Sequence, residues 1–209
     1  MYNLDKQDFE RMSVLHALIK HHHPWMDDFI EEQKTPVEYE IQKYWASKVD
    51  LIDKHVAILN SGIGYYSVPF AFQRGAKTVH TYDMDPTTAD LAWTINGSYW
   101  ESAGYSHHQR NITFDHELIN HKFDVYINTS CEHSYPIGDL LEARAKNRLC
   151  VLSGNNLSKR GHINLIRSLD ELKEQAQLSK IINEDYINFI YEDDLGEREY
   201  TQFFLIGIK

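Results

Sequence analysis

The chain has 209 residues, the length of one domain or of a core with an N-terminal appendage. Its net charge of −10 repels phosphate backbones, so bulk nucleic acid is predicted to be an unlikely partner and a small-molecule substrate is favoured. The sequence contains neither an apolar run long enough for a membrane span nor a signal-peptide pattern. Its 2 cysteines are too few for a disulfide framework, which favours a reducing cytoplasm, and the oligomeric state is left open.

Three helices are predicted in the N-terminal segment, over residues 5–22, 25–32 and 36–48. Pro24 separates the first two, because a proline inside a helix removes a hydrogen bond and clashes with the preceding turn. Thr35 is a suitable N-cap for the third, with a proline at its first helical position. We therefore predict an N-terminal helical cap over residues 1–50 and a main domain over residues 51–209.

A strand, a glycine loop, a helix, a second strand and an acid are predicted in succession over residues 55–59, 60–64, 65–74, 78–82 and 83. Gly62 and Gly64 allow the backbone to approach a ligand closely. Asp83 stands about 20 residues after the loop, where an acid can accept hydrogen bonds from ribose hydroxyls. The unit therefore predicts a binding site for a nucleoside-bearing cofactor.

The alternation of helix and strand continues to the end of the chain. A helix is predicted over residues 86–103, strands over 111–115, 123–128 and 149–152, a helix capped by Ser168 over 169–178, and two strands over 180–191 and 199–208. Gly196 serves as the turn residue of the short final joint, so the last two strands are expected to pair antiparallel. The pattern predicts an α/β, doubly wound, seven-stranded sheet with the last strand antiparallel.

Two classes of cofactor are compatible with the glycine loop. Dinucleotide-binding loops carry a third glycine for close packing of helix on strand, but Ser67 occupies that position here, after two bulky tyrosines. Dinucleotide folds are also usually parallel throughout, whereas the final hairpin predicts a reversed strand. A nicotinamide cofactor is therefore disfavoured.

With this loop, the spaced Asp83 and the terminal hairpin, the sequence resembles the class I S-adenosylmethionine-dependent methyltransferases over about residues 50–209. The resemblance implies a Rossmann-like fold and S-adenosyl-L-methionine as the cofactor. It implies that the methionine part of the cofactor is lined by Asn60, Ser61, Gly62 and Gly64. Asp83 would accept the ribose hydroxyls, Met84 and Asp85 would lie beside the adenine, and Asp115, after the predicted third strand, would accept the adenine amino group.

The segment after the fourth predicted strand reads Asn128-Thr129-Ser130-Cys131-Glu132-His133. It resembles the Asn-Pro-Pro-aromatic segment of amino-group methyltransferases at its first position only. On that resemblance Asn128 would hold the acceptor nitrogen, so an amine acceptor is favoured. The whole motif also resembles small uncharacterised methyltransferase-like proteins of tailed-phage and bacterial genomes, which is compatible with a phage-encoded chain and implies only the fold and the cofactor.

Glu132 and His133 bring a carboxylate and an imidazole to the predicted site, and either could act as a general base if its pKa lies near neutrality. Metal-dependent methyltransferases carry Asp-Asn where Asn155 and Asn156 stand, and an aspartate where Asn128 stands. Hard divalent ions prefer carboxylates, so no metal is predicted.

The sequence thus predicts an S-adenosylmethionine-dependent methyltransferase that acts on a small molecule. Two alternatives stay open. The first is another reaction of the same cofactor, such as aminocarboxypropyl transfer, which would release methylthioadenosine. The second is a non-catalytic module that keeps the fold and binds a protein partner.

Overall fold

The computed structural model describes residues 35–111, 123–138, 141, 145–159, 161–193 and 196–209. The chain divides into two compact units, residues 1–111 and residues 112–209, called unit 1 and unit 2 below. The helices predicted over residues 5–22 and 25–32 lie outside the described residues, so the predicted cap and its boundary at residue 50 stay predictions. Within the described ranges, no helix is both long and apolar enough to cross a membrane.

The strands form one mixed sheet of seven. Their bounds are β1 His55–Leu59, β2 Thr78–Asp83, β3 Tyr105–Gln109, β4 Val125–Asn128, β5 Leu149–Asn155, β6 Lys180–Asp193 and β7 Gly196–Ile208. Their order across the sheet is β3-β2-β1-β4-β5-β7-β6. The neighbouring pairs β1–β2, β2–β3 and β4–β5 are parallel, whereas β7 runs antiparallel to both β5 and β6. The predicted Rossmann-like α/β class with a reversed last strand is therefore confirmed.

Among the described residues, helix α1 Pro36–Lys48 precedes β1. Between the strands lie α2 Ser67–Gln73, α3 Thr88–Ala103, a 3₁₀ turn Cys131–His133 and α4 Leu169–Ala176. Both predicted side-chain caps are present: Glu38 donates its amide to Thr35 Oγ1 at 3.1 Å, and Glu171 donates its amide to Ser168 Oγ at 3.1 Å. Such caps satisfy amide groups that the first helical turn leaves without a partner.

The carboxyl end of β1 is positioned by its burial and by one bond to β2. Residues 56–59 are at most 1 % exposed, as expected for a parallel strand covered on both faces. Ser61 then donates its backbone amide to the Tyr82 carbonyl at 3.2 Å. The loop after β1 is thereby fastened to the end of β2.

The prediction of the third strand over residues 111–115 is wrong. The strand is β3, Tyr105–Gln109, and it follows α3 after the single residue Gly104, whose left-handed φ of 73° ends the helix. Its sequence is too polar to resemble a buried strand, yet Tyr105 and His107 are both buried. Asp115 lies outside the described residues, and its predicted place directly after the third strand was based on the wrong strand.

A hydrogen-bond chain explains how His107 can be buried. Its Nδ1 lies 3.0 Å from Thr81 Oγ1 and its Nε2 lies 3.2 Å from Thr88 Oγ1. Since the Thr88 hydroxyl donates to the Asp85 carbonyl at 2.7 Å, it accepts from Nε2, which leaves Nδ1 as an acceptor. The neutral imidazole is thus the form that this site holds, and burial, with the nearby His108, lowers the pKa of His107 to about 4.

This burial predicts a specific loss of stability in acid. The pKa of His107 is lower in the folded chain than in the unfolded chain, so between pH 6.5 and pH 4 only the unfolded chain takes up the proton. The contribution of the neutral His107 to the free energy of unfolding is fully present above pH 6.5. It falls by on the order of 2 kcal/mol as the pH is lowered. Urea unfolding of the wild type and of His107→Gln between pH 7 and 5 checks this. The variant should lose less stability over that range, and equal losses would contradict the assignment.

Candidate functional site

The glycine loop after β1 adopts a left-handed backbone at three positions. The φ angles of Asn60, Gly62 and Gly64 are 50°, 53° and 67°. At Gly64 a Cβ atom would lie 2.8 Å from Val68 Cγ2, so a side chain has no room there. The loop therefore needs glycine both for its conformation and for its contact with the start of α2.

Asp83, at the end of β2, is held by the loop that it faces. Its Oδ2 accepts the amide of Gly62 at 2.7 Å, and its Oδ1 accepts the amide of Asp85 at 2.9 Å. Burial raises the pKa of Asp83, and these two amides, together with that of Met84, oppose that shift. Since a carboxylate offers about four acceptor positions, it keeps the capacity to accept a ribose hydroxyl.

The neighbours of Asp83 differ in what they can offer a cofactor. Asp85 Oδ1 accepts the amide and the hydroxyl of Thr87, at 2.9 Å and 2.8 Å, and so stabilises the turn into α3. Met84 is 66 % exposed and presents an apolar side chain. The residues of unit 1 therefore fit the ribose of S-adenosylmethionine through Asp83, and Met84 could cover an adenine ring. These roles, and those of Asn60 and Ser61, stay predictions.

Asn128 ends β4 in unit 2 and is fully buried. Its Oδ1 accepts the amide of Ser130 at 3.0 Å, which identifies the oxygen of the side-chain amide. Its Nδ2 makes no hydrogen bond among the described residues. A buried donor of this kind is costly to leave unpaired, and the predicted contact of Asn128 with an acceptor stays a prediction.

Glu132 lies in the 3₁₀ turn that follows β4 and is 5 % exposed. Asn155, at the end of β5, donates its Nδ2 to Glu132 Oε1 at 2.7 Å. The backbone carbonyl of Glu132 accepts the amides of Ile163 and Asn164 at 2.9 Å and 3.1 Å. The ends of β4 and β5 and the loop after β5 thus hold one buried carboxylate in place.

Two histidines lie beside this carboxylate. His133 Nε2 is 4.0 Å from Glu132 Oε1, and the rings of His133 and His162 are 4.7 Å apart. Burial, and then the charge of Lys159, lowers the pKa of His133. Burial, with the charges of His133 and Lys159, lowers the pKa of His162 to about 4 although the bond to Leu157 opposes it. Both rings are therefore neutral at pH 7.

His162 is a residue that sequence reasoning missed. It follows Gly161, whose φ of 94° turns the loop after β5 back toward His133. No short sequence motif links His133 to His162, because they lie far apart in the chain. The local sequence signal that could have indicated His162 was the glycine that precedes it in the loop after β5.

Both cysteines are buried free thiols. Cys131 is 2 % exposed and Cys150 is 0 % exposed, and neither forms a disulfide. Burial, followed by the charge of Glu132, raises the pKa of Cys131 far above its ordinary value. A thiol that stays protonated is a poor nucleophile, so Cys131 is not a candidate for covalent catalysis.

The fold defines the chain as structurally similar to the class I methyltransferases. No protein-family model and no curated protein matches the sequence. A S-adenosylmethionine-dependent methyltransferase from Aquifex aeolicus is 13 % identical, with 87 % of this chain and 98 % of that chain covered and a TM-score of 0.60. At this identity the similarity shows the fold alone.

Two further solved structures are described as RNA-modifying proteins. One, from Pyrococcus horikoshii and proposed to be an RNA methyltransferase, is 16 % identical over 84 % of this chain and 85 % of that chain, with a TM-score of 0.59. The other, from Streptococcus pneumoniae and proposed to be a tRNA (m1A22) methyltransferase, is 14 % identical over 79 % and 68 %, with a TM-score of 0.54.

These two structural neighbours contradict the prediction about nucleic acid as a partner. The expectation that bulk nucleic acid is an unlikely partner is wrong, because chains of this fold include proteins described as acting on RNA and tRNA. The expectation was based on net charge, which sums over the whole surface. Binding to phosphate depends instead on the local field at the site.

Proposed function

We propose that the chain is an S-adenosylmethionine-dependent methyltransferase that modifies RNA. The proposal of this cofactor is based on the carboxylate of Asp83 at the end of β2. Its oxygens accept the amides of Gly62 and Asp85, with nitrogen–oxygen distances of 2.7 Å and 2.9 Å. In a sheet of this topology, ligands bind at the carboxyl ends of the parallel strands.

RNA as the acceptor is supported by a basic and aromatic cluster in unit 2. Lys159 Nζ lies 5.7 Å and Arg198 Cζ lies 5.4 Å from the centre of the Tyr191 ring. The charge of Lys159 also reaches the two histidines of the candidate site. Cations that can bind phosphate, one of them a guanidinium that can stack on a base, are contacts typical of proteins that bind single-stranded RNA. The two RNA-directed structural neighbours support the same class of substrate.

The predicted site residues have distinct parts in the proposed reaction. S-adenosylmethionine supplies an electrophilic methyl group, and the chain supplies alignment and proton acceptance. Asp83 binds the ribose of the cofactor. Asn128 Nδ2 donates a hydrogen bond that orients the acceptor nucleotide, and the carboxylate of Glu132 or the neutral ring of His133 takes up the proton that methylation releases. The predicted preference for a nitrogen acceptor rests on Asn128 alone.

Calorimetric titration with S-adenosylmethionine, S-adenosylhomocysteine and NAD tests the cofactor. We expect micromolar binding of the first two and none of NAD. Incubation with methyl-labelled S-adenosylmethionine and total RNA then tests the reaction, with label expected in RNA and S-adenosylhomocysteine as the product. Methylthioadenosine as the product would indicate aminocarboxypropyl transfer. If neither S-adenosylmethionine nor S-adenosylhomocysteine binds, the non-catalytic alternative is favoured.

At least one of the variants Glu132→Gln and His133→Ala should lower methyl transfer by at least about tenfold, because proton transfer by a positioned side chain contributes about 100-fold or more. Both should leave the Kd for S-adenosylmethionine within about twofold, since neither side chain is among the residues predicted to bind the cofactor. Tyr186→Ala, a change of a side chain that is 60 % exposed on β6, is the matched control and should alter neither quantity. Equal loss of binding and turnover in the two variants would contradict an acceptor-side role.

A further inference from the structure

The two histidines and the buried carboxylate of unit 2 form a cluster with the composition of a metal site. One carboxylate oxygen of Glu132 and one ring nitrogen each of His133 and His162 all lie within 4.8 Å of one another. Ligand atoms around one divalent ion are about 3.0–3.5 Å apart when the metal bonds are about 2.1 Å long. Side-chain movements of about 1 Å would therefore bring the three atoms into coordination.

The outer contacts of the cluster are those that metal-binding residues need. His162 Nδ1 lies 2.6 Å from the Leu157 carbonyl, so Nδ1 carries the hydrogen and the lone pair is on Nε2. Asn155 Nδ2 holds Glu132 Oε1 at 2.7 Å. Such second contacts fix the tautomer and the orientation of ligands.

We propose that Glu132, His133 and His162 bind one divalent transition-metal ion of the zinc class. Two imidazoles and one carboxylate suit Zn²⁺, Co²⁺, Mn²⁺ or Fe²⁺ and leave coordination positions for water or substrate. Mg²⁺ and Ca²⁺ prefer sites made of oxygen ligands alone. The charge of Lys159 opposes a cation here, and the carboxylate of Glu132 offsets it.

This site goes beyond the proposed function and would change the role of two residues in it. A ring nitrogen bound to a metal cannot also take up a proton, so His133 would act as a ligand rather than as a base. The ion could then polarise an acceptor hydroxyl or a bound water, which would do the work assigned to a base. Metal binding can be measured without cofactor or RNA, so its failure and the failure of methyl transfer are separate results.

The test is a titration of the chelator-treated protein with Co²⁺, followed by visible absorption and then by displacement with Zn²⁺. We expect one equivalent of Co²⁺ to give a visible absorption band that differs from that of the hydrated ion. Zn²⁺ should abolish this band, and equimolar Mg²⁺ should not. His133→Ala, His162→Ala and Glu132→Gln should each weaken Co²⁺ binding at least tenfold. Since the His133 side chain is 43 % exposed, His133→Ala should fold even if Glu132→Gln does not.

Other histidines set the controls. His80 Nδ1 and His108 Nε2 lie 3.2 Å apart in unit 1, and His21-His22-His23 is a second imidazole-rich segment. His80→Ala and the triple change His21→Ala, His22→Ala, His23→Ala should leave the band intact. The proposal is overturned if the band is absent, if it survives all three ligand substitutions, if either control removes it, or if equimolar Mg²⁺ displaces Co²⁺.

Discussion

Asp83→Asn should weaken the binding of S-adenosylmethionine by roughly 1–3 kcal/mol, about 5- to 150-fold in Kd. The substitution removes the charge that strengthens hydrogen bonds from the ribose hydroxyls. It also places an NH₂ group opposite one of two backbone amides, since Gly62 and Asp85 both donate to this carboxylate. The ligand contact and the order of the loop are thus lost together. Calorimetry measures the affinity, and thermal unfolding confirms that the variant is folded.

Asp90→Asn is the matched control, because it makes the same change at an acid outside the predicted site. Asp90 is exposed in the first turn of α3, so the change should alter the Kd by no more than about twofold. Asp83→Ala, which has no group to repel the amides, separates the lost charge from the misplaced NH₂. An unchanged affinity in both folded Asp83 variants would show that the ribose binds elsewhere.

The elements that could be predicted from the sequence are those whose local signals agree. β1 has the predicted bounds because its apolar run stops at a polar turn, and α1 has them because Thr35 caps a helix that begins with a proline. The reversed final strand also follows from one short joint between two long strands. In each case a few neighbouring residues decide the structure.

The features that were missed depend on contacts between distant residues. His107 of β3 is buried with its ring nitrogens beside the hydroxyls of Thr81 and Thr88, and the polar sequence of the strand gave no sign of these contacts. His162 is brought to Glu132 by the loop after β5, and sequence spacing cannot show this. The net charge misled for a related reason, since Lys159 and Arg198 concentrate positive charge around one ring in an acidic chain.

Gly64→Ala should destabilise the chain by roughly 2–4 kcal/mol, from the left-handed backbone and the overlap together. The φ of Gly64 is 67°, and its new Cβ would meet Val68 Cγ2 at 2.8 Å. Val68 is fully buried and β-branched, so its side chain cannot turn away easily. Urea unfolding gives the change in the free energy of unfolding. The same loop shift should also lower affinity for S-adenosylmethionine.

Gly97→Ala is the control, because it makes the same replacement of glycine by alanine at a position where the new methyl group has room. Gly97 lies inside α3, and a Cβ there would meet no heavy atom within 4 Å. Alanine should therefore stabilise this helix by about 0.5–1 kcal/mol. The double variant Gly64→Ala, Val68→Ala should lose less stability than the sum of the losses in the two single variants, because the overlapping methyl group of Val68 is gone. Additive effects, or a Gly64→Ala protein as stable as the wild type, would mean that the loop does not have this conformation.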